Sequence, residues 1–430
     1  MQQNNYLSKF NNKKIKKKIK LLNKNKLLSI DHRTFGKKLN LYHFQNESPG
    51  MVFWHNNGYI IFNELEKFLR IKLQKYNYQE VKTPLITDSV IWKNTGHWKI
   101  YKDAIFNTFS ENRNYCIKPM NCPGHIQIFQ QGLKSYKDLP LRIAEFGICH
   151  RNEPSGSLHG LMRLRSFTQD DAHIFCTQNQ VSIEIENCIN MMREIYQIFG
   201  FKNFLVKLST RPKNRIGNNE IWDRTEKDLA TVLKKLDITF NYQIGEGAFY
   251  GPKIEFSFFD CLNREWQCGT IQLDFTLPKC LSLFYIDSKN THKTPVIIHR
   301  AILGSIERFI GILLEEYSGY LPIWLAPLQI IIININDKHI NYVMNLLEII
   351  KKNNIRVQAD LKNEKISFKI RQYTIQHIPY ILICGDKEIK NNTVSIRDCF
   401  GKDLGNMKIH DIISKIKKEI NNYDIHQLGR

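Results

Sequence analysis

The sequence predicts an α+β domain built on an antiparallel sheet with flanking helices, followed by a small α/β domain. Between about residues 100 and 300, strand-like and helix-like segments are interleaved without a regular order. From Leu328 onward, apolar strand-like segments alternate with helix-like segments, which is typical of βαβ crossovers. Pro322 and Pro327 mark the boundary, because prolines there interrupt the preceding helical pattern.

In the first domain, apolar residues at helical spacing predict helices over residues 59–76 and 179–199. A strand over residues 78–84 is expected to end at its proline. Further strands are predicted from their apolar and β-branched content. They cover residues 115–118, 141–149, 167–175, 206–209, 253–259 and 270–275.

In the second domain, the predicted order is strand, helix, strand, helix, strand and a final helix. These elements cover residues 328–335, 339–352, 356–359, 365–375, 380–384 and 409–422. We therefore divide the chain into a basic arm (1–30), a larger α+β domain (31–325) and a small α/β domain (326–430).

Composition narrows the class of protein. The 430 residues carry a formal net charge of +21, which favours a polyanionic partner, although a compositional bias toward Asn, Lys and Ile would raise the charge too. No run of about 18 uncharged apolar residues appears, so we expect no membrane partner. The 10 cysteines include no Cys-x-x-Cys pair, which favours a reducing, cytoplasmic location.

The first thirty residues form a basic segment without acidic residues. A transit peptide is one interpretation, but such peptides are rich in Arg and Ser, whereas this segment has no Arg and only Ser8 and Ser29. We favour a solvated basic arm.

Three segments concentrate the residues able to carry chemistry. The first, Met120-Asn121-Cys122-Pro123-Gly124-His125, follows a predicted strand, and Pro and Gly predict a turn. By itself, Cys122 is more typical of a small buried residue than of a metal ligand.

The second segment reads as strand, polar loop and strand from Cys149 to His173. Gln169, Asp171 and His173 lie at i, i+2 and i+4, so they project from one face of a strand. Such a polar face indicates either a functional cavity or a solvated edge strand. We expect the two arms to direct six side chains into one cavity: Arg151, Glu153, Arg163, Gln169, Asp171 and His173.

The third segment, residues 298–310, reads as a strand leading into an apolar helix that bears Arg308. The expected core residues of that helix are Ile302, Ile306, Phe309 and Leu313. Arg308 either points into a functional site or lies on the solvent-exposed face of the helix.

Together, these segments resemble the three signature motifs of class II aminoacyl-tRNA synthetases. Their exact amino-acid sequences resemble those of the threonyl-tRNA synthetases. Further stretches of the same type are Pro49–His55, Thr95-Gly96-His97-Trp98, Gly245–Lys253 and Cys268–Phe275. The resemblance extends from Asp31 to the C-terminus. It implies the class II fold and a homodimer whose interface motif contains Pro84.

The resemblance further implies that Cys122, His173 and His299 bind one Zn²⁺ per subunit. Three protein ligands leave one position open, as in catalytic zinc sites. Threonine would fill it through its amino and hydroxyl groups. The family's threonine pocket corresponds to Gln169, Asp171, Tyr250 and Gln272.

For ATP, the resemblance implies that Arg151 binds the α-phosphate and Arg308 the γ-phosphate. Glu153 would contact the adenine amino group and Arg163 the phosphate tail, with Mg²⁺ bound alongside ATP. His97 is the expected base near the ribose of threonine tRNA. The last hundred residues resemble an anticodon-binding domain, in which we expect tRNA contacts from Arg356, Asn363, Glu388 and Arg397.

Two departures from the family stand out. The chain begins almost at the catalytic domain, so we expect no editing domain in cis and uncorrected seryl errors. Ser166 and Trp266 look unusual for the family, and we expect both to lie apart from the ligands.

Three rival interpretations remain. A seryl or prolyl enzyme is disfavoured by the Cys/His/His set, and a non-catalytic relative by the presence of both motif arginines, Arg151 and Arg308. A zinc hydrolase is disfavoured because no His-Glu-x-x-His segment appears.

Overall fold

An eight-stranded sheet organises the first domain, and a separate five-stranded sheet organises the second. The computed structural model describes residues 31–96, 98, 102–201, 204–260 and 263–425. The predicted basic arm over residues 1–30 and the expected base His97 lie outside these described residues. Among the helices described, none is both long enough and apolar enough to cross a membrane.

The helices flank both sheets. In chain order they are α1 (His32–Lys38), α2 (Asn56–Lys75), α3 (Ser89–Asn94), α4 (Cys122–Phe129), α5 (Val181–Ile198), α6 (Asn219–Lys235), α7 (Leu277–Cys280), α8 (Ile306–Glu316), α9 (Ile340–Lys352), α10 (Ile366–Ile375), α11 (Asp386–Asn391) and α12 (Ile409–Asn421). Short 3-10 helices lie at Lys102–Ala104, Tyr136–Asp138, Ser155–Ser157, Gln178–Gln180 and Asp337–His339.

The strands divide between the two domains. Those of the first domain are β1 (Tyr42–His43), β2 (Phe53–Trp54), β3 (Gln79–Glu80), β4 (Ile86–Asp88), β5 (Asn107–Ser110), β6 (Arg113–Ile117), β7 (Leu141–His150), β8 (Ser166–Cys176), β9 (Leu205–Ser209), β10 (Asn241–Gln243), β11 (Lys253–Phe259), β12 (Glu265–Asp274), β13 (Tyr285–Ile286), β14 (His292–Lys293) and β15 (Val296–Ser305). Those of the second are β16 (Ile330–Asn334), β17 (Val357–Asp360), β18 (Tyr380–Cys384), β19 (Val394–Asp398) and β20 (Asp403–Met407).

The large sheet is antiparallel through its centre and parallel only at its edges. Its strand order is β10-β9-β11-β12-β15-β8-β7-β3. Parallel pairing occurs between β10 and β9 and between β3 and β7, and the other neighbours are antiparallel. The expected fold class, an antiparallel sheet with flanking helices followed by an α/β domain, is confirmed.

Three helices cover one face of this sheet. Phe68 of α2, Ile189 of α5 and Phe309 of α8 belong to the same buried cluster as Ile174 of β8 and Ile298 of β15. Because side chains alternate along a strand, covering this face leaves the opposite face of the same strands for polar residues. The helical core therefore fixes where a site can form.

The second domain is built on a strand buried on both faces, which explains its continuous apolar sequence. Strand β16 is parallel to both β17 and β18. Ile330 and Ile332 pack into one cluster with residues of α9 and α12, whereas Ile331 and Ile333 pack into another with residues of α10.

Three local expectations were wrong. Cys122 begins helix α4 and does not lie in a turn, because Pro123 occupies the first turn of the helix, where no backbone N–H is needed. Of the strand expected over residues 78–84, only Gln79–Glu80 pairs, with β7. Ile302 is buried, as expected, but it lies in strand β15 and not in the helix.

Truncation of Ile332 tests the packing of the second domain. Ile332 is fully buried, so Ile332→Ala should lower the free energy of unfolding by about 2–5 kcal/mol through lost burial and a residual cavity. Met344→Ala on exposed α9 surface is the control and should change it by less than about 0.5 kcal/mol. Denaturant unfolding of the full chain measures both, and equal effects of the two variants would contradict the assigned packing.

Candidate active site

Three neighbouring strands place polar side chains in one row on the uncovered face of the large sheet. His299 on β15 lies directly opposite His173 on β8, and Gln272 on β12 lies directly opposite His299. Directly opposite residues share a face of the sheet. Asp171 and Gln169 lie two and four residues before His173 on the same strand. They project from the same face, as the alternation predicted.

A cavity of about 420 Å³, here called the main cavity, lies over this row. Elements far apart in sequence contribute to its walls, including α4, the loop after β7 and the segment before β11. The predicted residues that line it are Cys122, Arg151, Glu153, Gln169, Asp171, His173, Tyr250, Gln272 and His299.

A second space of about 290 Å³, here called the adjoining cavity, shares Arg151, Glu153 and Gln169 with the main cavity. Arg163 and Arg308 line only this second space. The six side chains expected in one cavity are thus distributed over two connected ones.

Cys122, His173 and His299 converge on one point of the main cavity. One potential ligand atom from each residue lies within 4.8 Å of the others, and all three residues are buried. Burial raises the pKa of the Cys122 thiol and lowers the pKa of His173, so both shifts favour uncharged groups. A divalent cation would reverse this preference for the thiol. One thiolate and two imidazoles form a ligand set that fits zinc.

Asp274 orients the ring of His299. Its Oδ2 lies 3.1 Å from His299 Nε2, and its Oδ1 accepts hydrogen bonds from the backbone N–H groups of Thr276 and Leu277. Because a carboxylate only accepts hydrogen bonds, Nε2 carries the proton and Nδ1 keeps its lone pair for a metal.

The four residues expected to contact the amino acid surround the same point. Asp171 Oδ2 accepts a hydrogen bond of 3.0 Å from Asn121, and burial raises the pKa of Asp171. The Tyr250 hydroxyl donates to Gln272 Oε1 at 3.2 Å. Gln169 Oε1 is buried and has no hydrogen-bond partner in the described part of the chain. Because an unpaired buried acceptor costs about 1–3 kcal/mol, Gln169 is poised for a ligand's donor.

Arg308 enters the adjoining cavity at the start of α8. Its Nε donates to the Met162 carbonyl and its Nη1 to the Gln267 carbonyl, both at 2.7 Å. Burial lowers the pKa of Arg308, and the nearby guanidinium groups of Arg151 and Arg163 lower it further. A site with three converging cations favours an anionic ligand.

Arg151 connects the two cavities. Its Nε donates to the Pro119 carbonyl at 3.1 Å, and its guanidinium group lies 5.1 Å from the centre of the Phe167 ring. Arg163 and Glu153 form an ion pair of 2.8 Å. The residues expected to bind phosphate and adenine therefore contact each other across one loop.

Trp266, which looked unusual for the family, packs against an arginine that lines the adjoining cavity. Its ring centre lies 5.5 Å from the guanidinium carbon of Arg308 and 5.6 Å from that of Arg264. Its indole N–H donates to Asp260 at 2.8 Å. Trp266 therefore helps to hold the arginine that lines the adjoining cavity.

The four residues expected to contact tRNA have different surroundings. Arg356 donates to the Ala326 and Trp324 carbonyls, and Glu388 is buried and accepts from the backbone N–H of Gly385. Asn363 lies exposed before α10. Arg397 donates to the Gly401 carbonyl and lies 3.4 Å from Asp403. Their contacts with tRNA stay predictions.

A second buried cluster, Asp31, His32 and Glu315, also has the composition of a metal site. However, His32 Nδ1 lies 2.6 Å from Glu315 Oε1, and His32 Nε2 accepts from the backbone N–H of Leu161 at 3.1 Å. Both ring nitrogens are engaged by protein groups, so this cluster joins α1 to α8 and to the loop that contains Leu161.

The sequence reasoning missed several residues that support the site. Asn121 and Phe167 stand beside predicted residues in the quoted motifs, and Asp274 stands in another quoted stretch. Their neighbours in sequence could have suggested them. Their partners could not be inferred, because Asp171, Arg151 and His299 approach them from other elements.

Comparisons with known proteins agree with this geometry. Residues 106–317 match the family described as tRNA synthetase class II core domain (G, H, P, S and T). Residues 329–419 match the anticodon binding domain.

Solved structures cover nearly the whole chain. The RNA binding domain of threonyl-tRNA synthetase from Cryptosporidium parvum Iowa II is 38% identical with a TM-score of 0.87, and the match covers 90% of this chain and 98% of that one. A putative threonyl-tRNA synthetase from Aeropyrum pernix is 26% identical with a TM-score of 0.80, covering 93% and 97%. A prolyl-tRNA synthetase from Cryptosporidium parvum shares the fold at 16% identity, with a TM-score of 0.70 and coverage of 93% and 76%.

These matches define a class of ligases, the class II aminoacyl-tRNA synthetases, which activate an amino acid and charge a tRNA. Within that class, the chain belongs to the threonyl-tRNA synthetase family.

Replacement of Arg308 by lysine tests the adjoining cavity. A lysine ammonium cannot hold both carbonyls and also face a phosphate, so amino-acid-dependent ATP–pyrophosphate exchange should fall about 10²–10³-fold. Arg264→Lys is the matched control, since Arg264 also contacts Trp266 but lines neither cavity, and its exchange rate should stay near wild type. Equal losses in the two variants would contradict a specific role for Arg308.

Proposed function

We propose that this chain activates L-threonine with ATP and transfers it to the 3′ end of threonine tRNA. The observation that carries the proposal is the convergence of Cys122, His173 and His299 beside Gln169 and Asp171 in the main cavity. The 38% identical relative, described as part of a threonyl-tRNA synthetase, supports the choice of amino acid.

Selection of threonine would rest on the bound zinc, one ion per subunit, held by Cys122, His173 and His299. When bound, zinc supplies an open position that the amino and hydroxyl groups of threonine can occupy. Asp171 would accept the hydroxyl hydrogen, and Gln169 Oε1 is available to a donor on the substrate. Valine has no hydroxyl and would leave these groups unpaired, which gives rejection of roughly 10⁴–10⁵-fold.

Activation joins the threonine carboxylate to the α-phosphate of ATP, where negative charge grows in the transition state. Arg151 lies at the junction of the two cavities and would stabilise that charge. Arg308 and Arg163 would hold the outer phosphates, Glu153 would contact the adenine amino group, and Mg²⁺ would accompany ATP.

Transfer would need a base near the terminal ribose, for which His97 stays the candidate. The net charge of +21 favours binding of tRNA phosphates, and Arg356, Asn363, Glu388 and Arg397 are the proposed anticodon-domain contacts. We further propose a homodimer that uses the segment around Pro84, and a cytoplasmic location consistent with the unpaired cysteines of the described chain.

The first test is ATP–pyrophosphate exchange with threonine, serine, valine and proline, before and after zinc removal. Exchange should be strong with threonine and absent with valine, and it should be lost on chelation and restored by added zinc. Strong exchange with proline would assign a different substrate. Folded, zinc-bound protein without exchange for any amino acid would point to a regulatory RNA-binding relative.

Serine tests the limit of zinc-based selection. Serine has both groups that bind zinc and lacks only a methyl group, worth about 1–3 kcal/mol. Exchange with serine should therefore show a kcat/KM about 10–200-fold below that for threonine.

Hydrolysis of misacylated tRNA by the catalytic and anticodon-binding domains can be measured separately from charging. Purified seryl-tRNA should persist when mixed with the 430-residue chain. Rapid deacylation by the chain would refute this part of the proposal.

A further inference from the structure

A buried chain of polar groups leads away from His173 through residues that do not line the main cavity. His173 Nδ1 lies 2.8 Å from His125 Nδ1, and His125 Nε2 lies 3.1 Å from Glu145 Oε2. Glu145 then accepts from the Thr83 hydroxyl at 2.8 Å and from Lys118 at 2.8 Å. All five residues are buried, between 0% and 8% exposed.

The outer end of this chain holds Glu145 as an anion. In addition to the Thr83 hydroxyl and Lys118, the backbone N–H of Thr83 donates to the carboxylate at 2.9 Å. Burial acts to raise the pKa of Glu145, but the hydrogen bonds from His125, Lys118 and Thr83 outweigh it and bring the pKa to about 2. Glu145 can therefore only accept hydrogen bonds.

This acceptor fixes the proton positions of both rings. Because Glu145 only accepts, its hydrogen bond with His125 places the ring proton on Nε2 and leaves Nδ1 as the acceptor. His173 Nδ1 must then carry the proton that it shares with His125. His173 Nε2 keeps its lone pair, and it is the nitrogen left to face Cys122 and His299.

We infer that Thr83, Glu145 and His125 form a positioning relay that holds His173 in its metal-binding tautomer, so that metal affinity depends on the segment that precedes Pro84. The inference deepens the proposed function and rests on its zinc site. His299 has a different arrangement, because Asp274 contacts its ring directly. The two histidine ligands are thus controlled from two separate parts of the fold.

The relay gives two residues of α4, Cys122 and His125, different roles at the metal site. Cys122 and His125 stand three positions apart in the same helix, so they lie on one face of it. The helix would supply one ligand directly and the orienting partner of another. A shift of α4 would disturb both at once.

Zinc affinity, measured by competition with a chromophoric chelator, tests the relay apart from catalysis. His125→Leu removes both hydrogen bonds and should weaken zinc binding about 10–100-fold. His125→Gln retains one donor and one acceptor and should recover most of that loss. Thr83→Val keeps the backbone N–H and should have a smaller effect, a few-fold.

The substitution Glu145→Gln tests the predicted tautomer of His173 most directly. The glutamine amide can donate a hydrogen bond to His125 Nε2, so the ring proton of His125 moves to Nδ1. His125 Nδ1 then donates to His173 Nδ1, and the ring proton of His173 moves to Nε2. A proton on His173 Nε2 occupies the lone pair that would bind the metal. Zinc affinity should fall about 10–100-fold. Glu184→Gln is the matched control, because Glu184 is equally buried and paired with Arg142 at 2.7 Å, but it lines neither cavity.

Nitrogen-15 NMR of histidine-labelled, metal-free protein gives an independent readout. His173 should be protonated at Nδ1 in the wild type and at Nε2 in Glu145→Gln. Wild-type zinc affinity in folded His125→Leu and Glu145→Gln, or Nε2 protonation of wild-type His173, would overturn the relay. Wild-type protein that binds no zinc would instead refute the zinc site, while the NMR result would still decide the tautomer.

Discussion

The site depends on one structural constraint, the register in which β15 pairs with β8 and β12. This register sets His299 beside His173 and Gln272 beside His299. A one-residue slip of β15 would turn His299 toward the helical core and away from His173 and Gln272. Asp170 helps to prevent such a slip, because its carboxylate accepts from the backbone N–H groups of Ile302, Leu303 and Gly304 where β15 bulges.

Buried carboxylates support the site from several directions, and each has hydrogen-bonding partners. Burial raises the pKa of Asp170 to about 6 and that of Glu307 to about 7, whereas Glu145 is held as an anion by its donors. Asp274 contributes a fourth carboxylate, bound to two backbone N–H groups and to His299. Satisfied networks of this kind rigidify a site, because losing one member leaves another buried group unpaired. Preorganised polar groups in turn need little rearrangement when charge develops on a substrate.

Local patterns predicted much of the fold because each pattern reports a local cause. The helix expected over residues 59–76 is Asn56–Lys75, and the strand expected over residues 380–384 is Tyr380–Cys384. Local reasoning failed where another element decided the outcome. Pro and Gly after Cys122 suggested a turn, yet the segment begins a helix, and Trp266 looked incidental until Arg308 was seen against it.

The sequence by itself determined the fold class, the strand face that carries Gln169, Asp171 and His173, and the family to which the motifs belong. These depend on the alternation and periodicity of polar and apolar residues and on the sequences of the motifs, all of which are local properties of the chain. Only the tertiary structure decided that Cys122 meets two histidines from separate strands, and that Thr83, Glu145 and His125 stand behind one of them. Such contacts join residues up to 177 positions apart in the printed sequence. Sheet register and helix packing set them, and neither is encoded in any single segment.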